Sequence, residues 1–179
     1  MMTLPIISDA HGYGARINKV LEKLSAIREE PSEMIFLGDG ARNFLMCVPE
    51  SIKVYAVLGN CDDTSVFGSD IYDKEGNIVP YERIEEIGGV RVLMMHGHKY
   101  GVKVELSRAI ARAAKVNADI LLFGHTHVPF EKSLRVGEYV GDVCLSKPLH
   151  VFNPGALENG RFGLLTIRNG EILLSHGNV

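Results

Sequence analysis

At 179 residues, 46% of them hydrophobic, the chain has the length of one domain and enough apolar surface for a large buried core. Nineteen Lys and Arg against 22 Asp and Glu leave a formal charge of −3, which gives no electrostatic reason to expect a nucleic-acid or an anionic-membrane surface. No apolar run approaches the roughly 18 residues of a membrane helix. The start, Met1-Met2-Thr3-Leu4-Pro5, has neither a basic segment nor a long apolar one, so secretion is not expected.

Residues 4–8 read as a first strand, after which Ile17, Val20, Leu21, Leu24 and Ile27 recur at helical spacing with charges between them. Pro31 and Ser32 close that helix, and residues 34–37 read as the second strand. Residues 41–48 form a short helix stopped by Pro49, and residues 52–58 the third strand. A β-α-β-α-β opening implies a parallel sheet with right-handed crossovers. Residues 63–80 lack a pattern and read as loop with at most one helical turn. Residues 82–87 and 90–95, joined by Gly88-Gly89, predict a β-hairpin. A helix is predicted over 102–116, with Val102, Leu106, Ile110 and Ala113 on one face, followed by a buried strand over 120–123. Residues 134–151 offer room for a further hairpin, and strands over 163–167 and 171–175 flank an Asn169-Gly170 turn. No repeat, low-complexity tract or linker interrupts the chain, so residues 1–179 read as a single domain. Three cysteines at wide spacing make no disulfide framework; Cys47 and Cys144 read as reduced packing residues of a cytoplasmic protein.

Five of the seven histidines gather with acids and an asparagine in tight clusters. In order the clusters are Asp9-Ala10-His11, Gly38-Asp39, Gly59-Asn60-Cys61-Asp62, His96-Gly97-His98 and Gly124-His125-Thr126-His127, nearly all directly after an apolar run. Each has an ordinary reading by itself. Asp9 can cap a turn, Gly38-Asp39 and Gly59-Asn60 are common turn pairs, and His96 can be a satisfied core histidine. Taken together they place imidazole, carboxylate and amide oxygen at the ends of five strands, where open α/β sheets bind ligands. Within Asp9-x-His11, strand alternation would aim both side chains the same way. His150 and His176 stand outside every cluster and read as ordinary surface or core histidines.

Such a site would hold more than one metal ion. Two divalent ions about 3.5–4 Å apart clamp an oxyanion and generate hydroxide near neutral pH. Oxygen and imidazole donors without thiolates suit Mn²⁺, Fe²⁺ or Zn²⁺, with manganese our first choice and nickel a further one. Phosphate esters are the natural substrates of that arrangement.

On these motifs, from Ser8-Asp9 to Asn153-Pro154-Gly155, the sequence resembles the calcineurin-like metallophosphoesterase superfamily, and within it the small phosphodiesterases of the YfcE type, relatives of the Vps29 retromer subunit. The resemblance implies an α/β fold, a four-layer α/β/β/α sandwich with a metal pair at the strand ends. It implies one ion held by Asp9, His11 and His127, a second by Asn60, His96 and His125, and Asp39 between the two. It also implies catalytic roles for Asn60, Cys61, Asp62 and His98. Most members carry His where this chain has Cys61, and that imidazole, oriented by the following acid, protonates the leaving oxygen. A thiol is a poorer donor, which argues against a general phosphomonoesterase. A second departure is Ala156, where relatives often have Ser. Asp62 is also readable as a turn residue, and His98 as a group facing substrate.

The expected activity is therefore hydrolysis of a small phosphodiester by a two-metal-activated hydroxide. The partner is that small molecule, with no membrane and no nucleic acid expected and a homo-oligomer left open. The rival readings are a Vps29-like protein-interaction scaffold with a vestigial metal site, and a phosphomonoesterase or nucleotidase. Segments 63–80 and 134–151 are expected to wall the pocket.

Overall fold

Side-chain alternation along the strands sets the layers of this molecule. The computed structural model describes residues 1–27, 30–62 and 70–179. It begins with β1 (Met2–Ile7), a 3-10 turn (Gly14–Arg16), α1 (Ile17–Ala26), β2 (Glu33–Phe36), α2 (Ala41–Cys47) and β3 (Lys53–Ala56). The hairpin β4 (Glu82–Ile87) and β5 (Val90–Met95) follows, then a 3-10 turn (His98–Tyr100), α3 (Ser107–Lys115) and β6 (Ile120–Phe123). The remainder is β7 (Phe130–Leu134), β8 (Tyr139–Val140), β9 (Val143–Cys144), β10 (Leu149–Asn153), a 3-10 turn (Leu157–Asn159), β11 (Arg161–Arg168) and β12 (Glu171–Asn178).

Two five-stranded sheets result, one ordered β12-β11-β1-β2-β3 and the other β4-β5-β6-β10-β7. The strands that carry the clusters are thus divided between two sheets, whereas the residue pattern alone suggested one. Leu4, Ile6, Ile35, Leu37, Tyr55 and Val57 of the first sheet meet Val92, Met94, Ile120, Leu122 and Phe152 of the second in one buried cluster. The alternate residues face outward. Ile7, Met34, Phe36, Val54 and Ala56 pack under Ile17, Val20 and Leu24 of α1 and Phe44 of α2. Leu93, Met95, Leu121 and Phe123 pack under Ala109, Ile110 and Ala113 of α3. The order is helix, sheet, sheet, helix, as the four-layer expectation has it. Phe36 stacks on Phe44 at 4.2 Å between centroids, a pair worth about 1 kcal/mol beyond its buried area.

Parallel pairing of β1 with β2 and β2 with β3 in one sheet, and of β5 with β6 and β6 with β10 in the other, aligns three C-terminal ends in each sheet, and the residues that follow β1, β2, β5 and β6 meet at one edge. Both glycine-bearing hairpin turns form as expected, with Ile87 opposite Val90 and Arg168 opposite Glu171.

Three expectations need correction. The helix predicted over 102–116 starts only at Ser107. Gly101, at φ 70°, lets the chain fold back, and Val104 and Glu105 donate their N–H groups to its carbonyl. Val102 is core as its periodicity suggested, but in a turn, and Val104 is 91% exposed. Residues 134–151 hold more than a hairpin: β8 and β9 form one, while β10 runs through the second sheet between β6 and β7. Cys144 is exposed and does not pack; Cys47 is half-buried against the first core. Residues 63–69 of the expected 63–80 loop lie outside the described residues. Among the described residues, no helix is long and apolar enough to cross a membrane.

Candidate metal centre

Five of the expected ligands share a backbone state that side chains usually avoid. Asp9 (φ 53°), His11 (φ 40°), Asp39 (φ 65°), His125 (φ 67°) and His127 (φ 60°) are all left-handed. Such positions cost on the order of 1–3 kcal/mol each and persist where surrounding bonds hold them. Here the Asp9 N–H donates to the Gly38 carbonyl at 2.9 Å, the Ala10 N–H to the Asp39 carbonyl at 2.8 Å, and the His125 N–H to Asp9 Oδ2 at 3.1 Å. Since β1 ends at Ile7, Asp9 and His11 are brought together by these turns, not by strand alternation as expected.

Two glycines permit the loops to meet. A Cβ on Gly59 would lie 2.0 Å from Asp39 Oδ1, and one on Gly124 would lie 1.9 Å from Ser8 Oγ. Asp62 ties the same loops together. One carboxylate oxygen accepts from the N–H groups of Asp39 (2.7 Å) and Gly59 (2.9 Å), the other from those of Gly40 and Ala41 (both 2.8 Å). It therefore also satisfies the start of α2, which has no side-chain cap of its own. Both oxygens being occupied, Asp62 positions the Asp39 and Asn60 loops.

The expected ligand atoms converge in two groups, Asp9 with His11 and His127, and Asp39 with His96 and His125, each with its donor atoms within 4.8 Å of one another. Nε2 of His127 is 3.2 Å from Asp9 Oδ1, and Nε2 of His96 is 3.2 Å from Asp39 Oδ2. Nε2 of His11 lies 3.7 Å from Asp39 Oδ2 and 3.9 Å from Asp9 Oδ1, linking the groups. Ring nitrogens face each other at 3.3 Å (His11 and His127) and 3.1 Å (His96 and His125). Asp9 Oδ1 is buried and, among the described residues, has no hydrogen-bond partner. Oxygen and imidazole donors closing on an unpartnered carboxylate oxygen fit a divalent cation. A third group, His11, Asp39 and Cys61, brings the Cys61 sulfur within the same reach, a thiol that the residue pattern had left out of the donor set.

The Asn60 side chain is exposed and donates from Nδ2 to Cys61 Sγ at 3.3 Å. His98 is half-buried, its ring centroid 5.5 Å from that of His96 and 6.1 Å from that of His125. Its Nδ1 is buried without a partner among the described residues. His150 and His176 lie away from the site, bonded to Ser133 and to the Asn153 carbonyl.

Burial and charge act on each group. Burial pushes the Asp9 carboxyl up, against the pull of His96 and the Ser8 hydroxyl. Burial also raises Asp39, but the hydrogen bond and charge of His96 and the Cys61 N–H outweigh it and hold Asp39 well below the ordinary carboxylate range. Burial lowers His96, yet Asp39 and Asp9 carry it above its usual value. Burial, then His96 and Lys103, push His125 down to about 4. Burial, then Asp39, raise the Cys61 thiol to about 11, so it stays protonated at neutral pH.

Several supporting residues were not anticipated. Nδ1–H of His96 donates to the Leu37 carbonyl at 2.8 Å, which turns Nε2 toward Asp39. His127 Nδ1 lies 2.8 Å from Glu158 Oε1, so its Nε2 faces Asp9. Arg16 holds the carbonyls of Leu157 and Glu158. Asn153 donates from Nδ2 to the Gly124 carbonyl (2.8 Å) and Thr126 Oγ1 (3.1 Å), fixing the loop of His125 and His127. Asn153-Pro154-Gly155 was visible as a motif; nothing in the spacing tied Glu158 to His127.

The sequence pattern of the calcineurin-like phosphoesterase superfamily domain matches residues 2–177. YsnB of Bacillus subtilis, a probable metallophosphoesterase, is 29% identical over 169 residues, covering 94% of this chain and 86% of that protein. The phosphodiesterase YfcE of Escherichia coli is 28% identical over 183 residues, covering 92% and 88%. Vacuolar protein sorting 29 from Cryptosporidium parvum has a similar fold, with a TM-score of 0.64 at 16% identity over 99% of this chain and 97% of that one.

Proposed function

This chain belongs to the calcineurin-like phosphoesterase superfamily, and from that membership we propose that it is a cytoplasmic, single-domain hydrolase that cleaves a small phosphodiester with two bound divalent ions, manganese first among them. The observation that carries this reading is Asp9 Oδ1, buried without a hydrogen-bond partner among the described residues while Nε2 of His127, His11 and His96 face it at 3.2, 3.9 and 3.9 Å. Asp9, His11 and His127 would hold one ion, Asn60, His96 and His125 the other, and Asp39 both. Bound there, the ions supply Lewis acidity that neutralises the phosphate and acidifies a water.

The chain's own residues do the rest. Leu37 and Glu158 fix the His96 and His127 rings with their Nε2 atoms inward. Asp39, held ionised, brings the negative charge that two dications need. Cys61, protonated and at the exposed rim, is a weak donor toward a leaving oxygen. That favours esters with good leaving groups, aryl diesters over alkyl monoesters. A docking surface needs none of this convergence, so the hydrolytic reading stands ahead of the scaffold reading.

The test is turnover of bis-(p-nitrophenyl) phosphate after stripping with chelator, with Mn²⁺, Ni²⁺, Mg²⁺ or Zn²⁺ added back. Stripped protein should be inactive and Mn²⁺ should restore it. Full activity after exhaustive chelation, or none with any ion, would overturn the proposal.

A further inference from the structure

A cavity of about 480 Å³ opens beside the metal centre, and Tyr81, Glu82, His98, Lys99, Tyr100 and Arg108 account for its polar lining. That volume is within the roughly 300–1,000 Å³ of small-ligand pockets. Among the described residues, its lining comes from the start of β4, the end of β5, the turn that follows β5, and α3. His98 joins the two spaces, since its ring packs at 5.5 Å from His96 on one side and 5.8 Å from Tyr81 on the other.

The wall's charge is uncompensated. Among the described residues Glu82 is its only acid, and it is already engaged by Arg112 (2.9 and 2.5 Å) and by the Tyr100 hydroxyl (2.5 Å). Lys99 sits with its ammonium 3.5 Å over the Tyr81 ring. Neither Lys99 nor Arg108 has a carboxylate partner among the described residues. Two cations lining one cavity without a carboxylate partner among the described residues, in a chain of net charge −3, mark a local anion site. A guanidinium fork and an ammonium lining the same cavity match the charge and oxygens of a terminal phosphate better than those of a lone carboxylate.

We propose that this cavity is a subsite for a second phosphate group, so that the substrate is a phosphodiester whose departing or retained part carries a further phosphate. The inference rests on the phosphoesterase reading for the position of the first phosphate. Lys99 and Arg108 grip the second group, Tyr81 holds the Lys99 ammonium in place, and His98 forms the floor between the two phosphates.

The probe is butane-1,4-bisphosphonate against butylphosphonate, neither of which is hydrolysable, titrated calorimetrically into Mn²⁺-loaded protein. The bisphosphonate should bind about tenfold tighter, the effect of one added charge-assisted contact pair. Lys99→Ala with Arg108→Ala should erase that preference while butylphosphonate binding and thermal stability stay unchanged, and Lys99→Arg should keep it. Equal binding of both probes to the parent protein, or a preference that survives the double substitution, overturns the subsite. Turnover is not read, so the two proposals fail separately. Protein that hydrolyses nothing but shows the Lys99- and Arg108-dependent preference keeps the subsite and loses the enzyme.

Discussion

Replacing Glu158 tests whether the centre depends on a residue outside the ligand set. Its Oε1 is 2.8 Å from His127 Nδ1, with the two side chains 26% and 32% exposed, so the contact is only partly screened. In a neutral imidazole facing a carboxylate, Nδ1 carries the proton and Nε2 the lone pair, and Nε2 is the atom 3.2 Å from Asp9 Oδ1. Glu158→Ala removes the acceptor and frees the ring to rotate or change tautomer. Losing such a partner typically costs 10–100-fold in metal affinity, or about 1.4–2.8 kcal/mol. Glu158→Gln keeps an acceptor but not the charge, so its loss should be the smaller. The assay is Mn²⁺ titration of the parent and both variants, with circular dichroism confirming the fold. Arg16 grips the backbone carbonyl of Glu158 and not its carboxylate, so the turn should keep its place in both variants. Parent-like affinity in Glu158→Ala would refute the reasoning, as would a larger loss in Gln than in Ala.

Asp39 alone is assigned to both ions, so Asp39→Asn should lower bound metal and turnover more than His11→Ala; elemental analysis of the two variants decides the order. Cys61→Ala should retain most activity on bis-(p-nitrophenyl) phosphate, and Cys61→His should raise monoesterase relative to diesterase activity, measured as a ratio of kcat/KM values. General-acid assistance is typically worth 10²–10⁴-fold, but Asp62 already has both oxygens on backbone N–H groups and cannot orient a new imidazole, so a gain at or below the lower end is expected. Asp62→Ala strips four backbone N–H groups of their acceptor and should cost about 3 kcal/mol, read as a fall in Tm of roughly 6–12 °C for a chain of this size.

Much of the molecule was legible in its sequence because much of it is set locally. The apolar runs fixed the strands that carry the clusters, the Gly88-Gly89 and Asn169-Gly170 pairs fixed two hairpins, and the histidine, aspartate and asparagine clusters marked the strand ends. These signals reside in neighbouring residues, and chain connectivity preserves them. Where a non-local contact outweighed local pattern, the reading failed. Val102 looks helical by period, yet Gly101 turns the chain and Val102 packs on Gly97 instead. Strand β10, with His150 and Asn153 among its apolar residues, exists because β6 and β7 supply its partners on either side.

At the site, the sequence determined which donors are present, and the tertiary structure decided how they aim. Left-handed turns at Asp9, His11, Asp39, His125 and His127 are affordable only because Asp62, Gly38 and Asn153 bind the loops from elsewhere in the chain. The tautomer of His127 rests on Glu158, and the charge of the neighbouring cavity on Lys99 and Arg108, which have no carboxylate partner among the described residues, while Glu82 is engaged by Arg112. Electrostatics and hydrogen-bond geometry act through space over a few ångströms, a distance that the order of residues along the chain does not record.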